Sequence, residues 1–226
     1  MHKIKMPFDC RLTTPFNLLV SGPSKSGKTT FVSNLLKVSE DMFVRKPDHV
    51  ILYYANNQPT YNEMFKQKMI HEMINFNDAE PQYQEIQDKV MPYKNGNGSL
   101  IIFDDTLSDI KPGFEKIFQV LGHHNNCSLI YISQNLFYNS RTFRNLSLQL
   151  DYIVLMRNQR DASQIRSLST QLCPGNPQYI TEAYHGATQE PFSYLFIDCG
   201  ANSKKELRLR SNLFPHEAPY YVYLEK

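Results

Sequence analysis

Eight consecutive residues restrict the folds open to this sequence more than any other stretch. Residues 22–29 read Gly-Pro-Ser-Lys-Ser-Gly-Lys-Thr, which fits the pattern G-x-x-x-x-G-K-[ST]. The apolar run 16–21 predicts a short buried strand before them, and residues 30–37 predict a helix after them. Strand, glycine loop and helix in this order indicate a phosphate-binding P-loop, because the glycines let backbone N–H groups turn tightly towards a phosphate.

The individual positions of this loop have distinct predicted roles. Lys28 reaches the β- and γ-phosphates, and the hydroxyl of Thr29 binds Mg²⁺. The positive end of the helix dipole adds to the same anion site. A chance glycine-rich turn is disfavoured, because the spacing, the lysine, the hydroxyl and the flanking elements all agree. The motif predicts nucleotide binding without naming the reaction, and the predicted binding residues are Gly22, Pro23, Ser24, Lys25, Ser26, Gly27, Lys28, Thr29 and Thr30.

A second stretch predicts a carboxylate at the tip of a central strand. Residues 99–105 read Ser-Leu-Ile-Ile-Phe-Asp-Asp, which is the Walker B pattern. Asp104 is the predicted Mg²⁺ ligand, and Asp105 is placed to orient or deprotonate the attacking water. Taken alone, the run is equally a strand that ends in an Asp-Asp turn. The P-loop about 75 residues upstream favours the catalytic interpretation, since this separation leaves room for another strand between the two.

Two further segments supply candidate catalytic residues. Gln134 ends the apolar run 127–133 and is predicted to contact the γ-phosphate or the lytic water, with a turn or capping residue as the alternative. Arg141 and Arg144 are three residues apart and share a helix face. A guanidinium there can bind a transferring phosphoryl group as an arginine finger does, bind a DNA phosphate, or form a surface ion pair.

The remainder of the chain predicts one α/β domain with a mostly parallel sheet. Its 226 residues carry a net charge of +2, so composition alone does not require a nucleic-acid partner. The four cysteines have no metal-ligand spacing, and neither a signal peptide nor a membrane-spanning run is present, which predicts a soluble intracellular protein. We expect an extended arm over 1–12, a core over 13–200, and a C-terminal strand and tail over 201–226. Further predicted strands cover 49–54, 150–156, 194–199 and 207–210, the last two as a hairpin, and further predicted helices cover 61–74, 81–91, 162–172 and 177–186.

Together these motifs resemble one superfamily of motors. The set of motifs is similar to that of the FtsK–HerA superfamily of DNA-pumping ATPases. It consists of the P-loop, Asp104-Asp105, Gln134 at a strand end, and the segment 141–145. The resemblance is closer to the genome-packaging ATPases of large DNA viruses (the poxvirus packaging type) and of virus-like transposons, and covers roughly residues 12–200. It implies a RecA-like (ASCE) P-loop NTPase fold. It also implies ATP and Mg²⁺ as cofactors, a homo-oligomeric ring and double-stranded DNA as a sequence-independent partner.

The same resemblance implies roles and a setting. Lys28 and Thr29 bind phosphate and Mg²⁺, Asp104 is the metal acid, Asp105 the catalytic acid and Gln134 the sensor. Arg141 or Arg144 is the finger that reaches a neighbouring subunit. A capsid protein is a further candidate partner, no membrane is involved, and the setting is a viral assembly site in the nucleus or cytoplasm, or the virion. The chain departs from related ATPases in having Asp in place of the usual Glu at 105, and it is short.

Three functions therefore compete at this stage. The first is an ATP-driven DNA translocase that packages a viral or virus-like genome. In that case Lys204-Lys205 and the Arg208–Arg210 group are pore candidates, with a solvated face as the alternative. The second is a small phosphotransferase such as a nucleoside or nucleotide kinase, for which residues 139–166 supply arginines. The third is a non-hydrolysing, nucleotide-dependent assembly switch. The acid pair favours water activation and therefore the first.

Overall fold

Strands account for the centre of the protein. The computed structural model describes residues 9–76, 83–104, 121–122, 124–136, 148–160 and 162–225. The strands in this part of the chain are β1 (Asn17–Ser21), β2 (His49–Tyr54), β3 (Glu72–Asn75), β4 (Ser99–Asp104), β5 (Cys127–Ser133), β6 (Tyr152–Met156), β7 (Tyr194–Asp198), β8 (Leu209–Ser211) and β9 (Tyr221–Tyr223). They form one sheet in the order β3-β2-β4-β5-β1-β6-β7-β8-β9. Strands β1 to β6 pair in parallel and β7 to β9 add antiparallel, which confirms the predicted mostly parallel sheet with a C-terminal hairpin.

Helices cover both faces of this sheet. They are α1 (Lys28–Lys37), α2 (Ser39–Met42), α3 (Pro59–Lys66), α4 (Tyr83–Val90), α5 (Ala162–Leu172) and α6 (Pro177–Ala187). Side chains of α1, α2 and α3 pack into the core on one face, and those of α4, α5 and α6 pack into the core on the other. Strands β1, β4, β5 and β6 are buried along their whole length, which explains their continuous apolar sequences.

The predicted helix over 61–74 is wrong in its second half. Helix α3 ends at Lys66, Lys68 adopts a left-handed backbone with φ 56°, and β3 follows. The His71 N–H donates to the Val50 carbonyl (2.8 Å), while the Val50 N–H donates to His71 Nδ1 (3.0 Å). These bonds to β2 draw the chain into the sheet, and a tertiary contact of this kind outweighs local helix propensity.

The prediction that the strand near 207–210 is half-exposed is also wrong. Arg210 in β8 is only 3% exposed. Its guanidinium lies 3.6 Å from Asp198 Oδ2 and 4.5 Å from the centre of the Phe196 ring. It also donates to the carbonyl of Cys10 (3.1 Å). β9 forms from the predicted extended tail and covers β8, so this cation is a structural group and is not available to line a pore.

One insertion in the strand order brings distant motifs together. β5 lies between β1, which precedes the P-loop, and β4, which ends in Asp104. Ser21 at the end of β1 is opposite Ser133, and Asp104 is opposite Ile132. The carboxyl ends of parallel strands form the usual ligand crevice of such sheets. The predicted strand tips therefore meet at a single edge. Within the described ranges, the helices are all too short or too polar to cross a bilayer.

Candidate nucleotide-binding site

The P-loop joins β1 to α1 and is fastened to the neighbouring strand. The N–H of Gly22 donates to the carbonyl of Ser133 (3.1 Å) at the end of β5. Gly27 is the N-cap of α1 with φ 100°, a conformation that L side chains rarely adopt. Among the residues that the structure describes, no side chain caps this helix, so its first N–H groups point towards the loop without a side-chain acceptor. This is the backbone arrangement that binds phosphate.

Gly22 is required for a reason that the motif does not reveal. A Cβ atom at this position would lie 2.5 Å from Met156 Cβ and 2.9 Å from Ser26 Oγ. Met156 is the last residue of β6, which pairs with β1 on the side away from β5. The loop therefore packs directly on two neighbouring strands, and a side chain at residue 22 would force them apart.

Lys28 already points into the loop. Its Nζ donates to the carbonyls of Gly22 (2.7 Å) and Pro23 (2.9 Å), and the residue is only 9% exposed. These two bonds keep a buried ammonium within the ring of loop backbone. The ammonium therefore lies where it can contact an anion bound in the same loop.

A buried hydroxyl in the same loop supports the presence of a ligand. Within the described part of the chain, Ser26 Oγ has no hydrogen-bond partner although it is buried. Buried polar atoms are nearly always paired, so an unpaired hydroxyl beside a phosphate loop fits a missing acceptor. The residues present therefore fit a nucleotide phosphate, and the oxygen donors Thr29 and Asp104 are of the type that Mg²⁺ prefers.

Asp104 is buried at the end of β4 and held from α3. The residue is 6% exposed, and its Oδ2 accepts hydrogen bonds from Gln58 Nε2 (3.2 Å) and from the Tyr61 hydroxyl. The sequence pattern predicts a helix over 61–74 and gives no chemistry to residue 61. The pairing of β2 with β4 sets Tyr54 opposite Asp104 and so aims the end of β2 at this carboxylate, and no sequence pattern shows that pairing.

Gln134 lies at the tip of β5, as predicted, and is exposed. It lines one crevice together with Gly22 of the P-loop and Asn158 beyond β6. The preceding Ser133 closes a tight turn, since its hydroxyl donates to the Asn135 carbonyl (2.7 Å). The structure thus brings Gln134 and the P-loop together. Asp105, Arg141 and Arg144 lie outside the described residues, and their roles remain predictions.

A second cleft opens beside the P-loop and was missed by sequence reasoning. It has a volume of about 300 Å³. One wall is the start of α1, including Gly27 and Thr30, and the other comes from C-terminal segments that precede and follow β7. Its lining residues are Gly27, Thr30, Phe31, Asn34, Met156, Phe192, Tyr194, Phe214 and Glu217. The C-terminal part of the chain therefore contributes to the nucleotide end of the sheet.

Strand order, P-loop and the carboxylate tip two strands away define a P-loop ATPase with a mostly parallel sheet flanked by helices, as the motifs predicted. The sequence model described as the poxvirus A32 protein matches residues 5–162. That span is more than half of the chain, and the chain belongs to the poxvirus A32 protein family.

Solved structures agree with this fold. The genome packaging NTPase B204 from Sulfolobus turreted icosahedral virus 2 in complex with sulfate is similar with a TM-score of 0.58 and 14% identity, over 85% of this chain and 95% of that chain. Its complex with ATP-gammaS is similar with a TM-score of 0.55 and 13% identity, over 93% of this chain and 98% of that chain. The cytoplasmic domain of the Thermomonospora curvata type VII secretion ATPase EccC is similar with a TM-score of 0.55 and 16% identity, over 83% of this chain and 24% of that chain. No match is found among curated protein sequences.

Proposed function

We propose that this ATPase translocates double-stranded DNA and packages a viral genome into capsids. The observation that carries the proposal is the insertion of β5, which sets the P-loop and Asp104 on strands separated by one neighbour at a single edge. Membership of the poxvirus A32 protein family and the shared fold with the B204 packaging NTPase support DNA as the transported polymer.

The proposed chemistry is in-line attack of water on the γ-phosphate of ATP. Lys28 and the loop N–H groups neutralise charge on the phosphates, and Gln134 orients the water. Asp105 accepts its proton, and its side chain is shorter than the Glu usual in related ATPases. Thr29 and Asp104 hold Mg²⁺, which supplies further charge neutralisation when bound. Asp104 is oriented by Gln58 and Tyr61, so its carboxylate enters the site in a fixed position.

The proposed assembly is a homo-oligomeric ring around DNA. In this ring, Arg141 or Arg144 completes the nucleotide site of the adjacent subunit, because a guanidinium can donate two parallel hydrogen bonds to the transferring phosphoryl group. Residues 141–170 carry five arginines against two aspartates, which favours contact with phosphate backbones. We expect the ring to act with a capsid protein at the viral assembly site.

Phosphate release with ATP and Mg²⁺ tests this proposal, measured with and without double-stranded DNA. We expect DNA to stimulate release and added salt to reduce that stimulation, since DNA contacts of this type are electrostatic. Asp105→Asn removes the proton acceptor and abolishes release, whereas the exposed Asp88→Asn in α4 is the matched control and keeps it.

Two other outcomes would contradict the translocase. Nucleotide binding without release, with and without DNA, would favour an assembly switch. Transfer of the phosphoryl group to an added nucleoside would favour a phosphotransferase.

A further inference from the structure

Phe192 occupies an unfavourable position for a phenylalanine. It lies in the connection between α6 and β7, with a left-handed backbone of φ 65°, and its residue surface is 67% exposed. A bulky side chain at positive φ is a conformational outlier, and such outliers concentrate at ligand sites. Exposure of the ring also forgoes the free energy that burial of an aromatic group provides.

The surrounding backbone fixes this conformation. The next residue, Ser193, accepts a hydrogen bond from the Arg157 N–H (3.0 Å), and its own N–H and hydroxyl donate to the Glu190 carbonyl (3.3 and 2.5 Å). β7 then begins opposite Met156, at the carboxyl end of β6. Phe192 is therefore held at the edge of the sheet where the P-loop lies.

The ring packs against the P-loop itself. A Cβ atom built on Gly27 would lie 3.4 Å from ring atom Cδ1 of Phe192 and 3.5 Å from its Cβ. Phe192 and the first two turns of α1 line the 300 Å³ cleft, with Thr30 and Asn34 on the helix side. Gly27 is therefore the residue that lies between the Phe192 ring and a phosphate bound in the loop.

The remaining walls of the cleft are mostly apolar. Met156, Tyr194 and Phe214 line it, and all three are buried. Glu217 closes one end with Oε2 fixed by the Tyr194 hydroxyl (2.5 Å) and the Phe214 N–H (3.3 Å). A slot with aromatic and aliphatic walls and a few polar groups suits a flat heteroaromatic ring.

We infer that Phe192 is the stacking platform for the nucleobase of the nucleotide whose phosphates the P-loop holds. The inference rests on the proposed nucleotide hydrolysis. Ribose and base continue from the phosphates, so the base has to lie beside the loop. The cleft is the space beside Gly27 and Thr30 that offers an exposed aromatic face. Every base has a π-face, so stacking fixes the base without reading its edge.

Binding calorimetry with two ligands tests this role. ATP carries a base, and inorganic tripolyphosphate carries the phosphates alone. We expect Phe192→Leu to raise the Kd for ATP about 10-fold, the lower range for loss of one base–aromatic stack, and to leave tripolyphosphate binding unchanged. Phe192→Tyr keeps the aromatic face and retains wild-type affinity. Phe65→Leu, at an exposed phenylalanine of α3, is the matched control and changes neither ligand.

Phe192→Gly separates a ligand role from a packing role. Glycine adopts a left-handed backbone without strain, so we expect Tm to rise while the affinity for ATP falls. If Tm and affinity fall together, the ring holds the turn and the inference is overturned. It is also overturned if Phe192→Leu binds ATP like wild type or loses both ligands equally. If the wild-type protein binds neither ligand, the proposed function fails as well.

Discussion

The two ends of the parallel strands carry polar clusters of opposite character. At the amino end, Glu72 accepts from His49 Nε2 (2.8 Å) and pairs with Lys89, and the His49 ring stacks on Tyr93 with centres 4.5 Å apart. Here the hydrogen-bond donors and the carboxylate satisfy one another. At the carboxyl end, a buried lysine donates to two carbonyls of the P-loop, a serine hydroxyl is unpaired within the described residues, and Phe192 is exposed and strained.

This difference separates groups that stabilise the fold from groups that await a ligand. A network whose charges are paired internally contributes to folding and has little left for binding. A polar group that is held in place with an unfilled hydrogen-bonding position has the opposite effect. It favours ligand binding and lowers the stability of the fold. Variants at the two ends should therefore change different observables.

The largest expected effect is at the carboxyl end. Lys28→Ala removes the cation that neutralises charge on the phosphates, and we expect hydrolysis to fall by about 100-fold or more. Tm should change little, since the Lys28 ammonium donates to the Gly22 and Pro23 carbonyls of its own loop. Lys37→Ala at the other end of α1 is the matched control. A large fall in Tm in Lys28→Ala, alongside the fall in phosphate release, would contradict this separation of roles.

A smaller effect is expected from Tyr61→Phe. The variant removes one donor to Asp104 and keeps the buried ring in place. Because partners of a metal ligand tune its affinity, we expect about 10-fold more Mg²⁺ to be needed for half-maximal phosphate release. Tyr93→Phe at the amino end is the control, and an unchanged Mg²⁺ titration in Tyr61→Phe would refute the positioning role.

The smallest effect is expected from Glu72→Gln, and on stability alone. Partial burial opposes ionisation of Glu72, but hydrogen bonds from Lys89 and His49 outweigh it and hold the pKa of this carboxyl below its ordinary value of 4.5. We expect a loss of about 1 kcal/mol at pH 7, or about 3 °C in Tm, with phosphate release unchanged. Glu40→Gln, in an exposed ion pair with Lys46, is the control.

The pH dependence of this difference has a definite sign. A lowered folded-state pKa gives stability that is fully present above the ordinary pKa of the unfolded chain and is lost as the pH falls through the lowered value. Wild type and Glu72→Gln should therefore converge in acid. Thermal denaturation of both proteins from pH 7 to pH 3 measures this, and a constant gap across that range would exclude the carboxylate as its source.

Local signals predicted the parts of the fold that depend on neighbouring residues. α5 matches its prediction at both ends because the stripe of Ile165 and Leu168 and the stop at Cys173-Pro174 lie within one short segment. Strand β4 was likewise readable from its apolar run. The short edge strands β3 and β9 were missed, since pairing with β2 and β8 decides their conformation and no local pattern shows it.

The candidate site divides in the same way. Lys28, Thr29 and Asp104 were predictable because phosphate and metal chemistry require those residue types at fixed spacings. The hold of Tyr61 on Asp104 and the contact of Phe192 with Gly27 were not, because each joins segments that only the sheet order brings together. The motifs therefore name the candidate residues at the strand tips, and the contacts that hold these residues follow only from the fold.

The position of β5 also governs when the site can exist during synthesis. Strand β1 lies between β5 and β6, and both of these strands come more than 100 residues later in the chain. A nascent chain that stops before residue 127 has made the whole P-loop yet offers its strand no partner on either side. The strand that carries the P-loop can therefore pair with its neighbours only after the ribosome has delivered the segment that separates the two motifs in space.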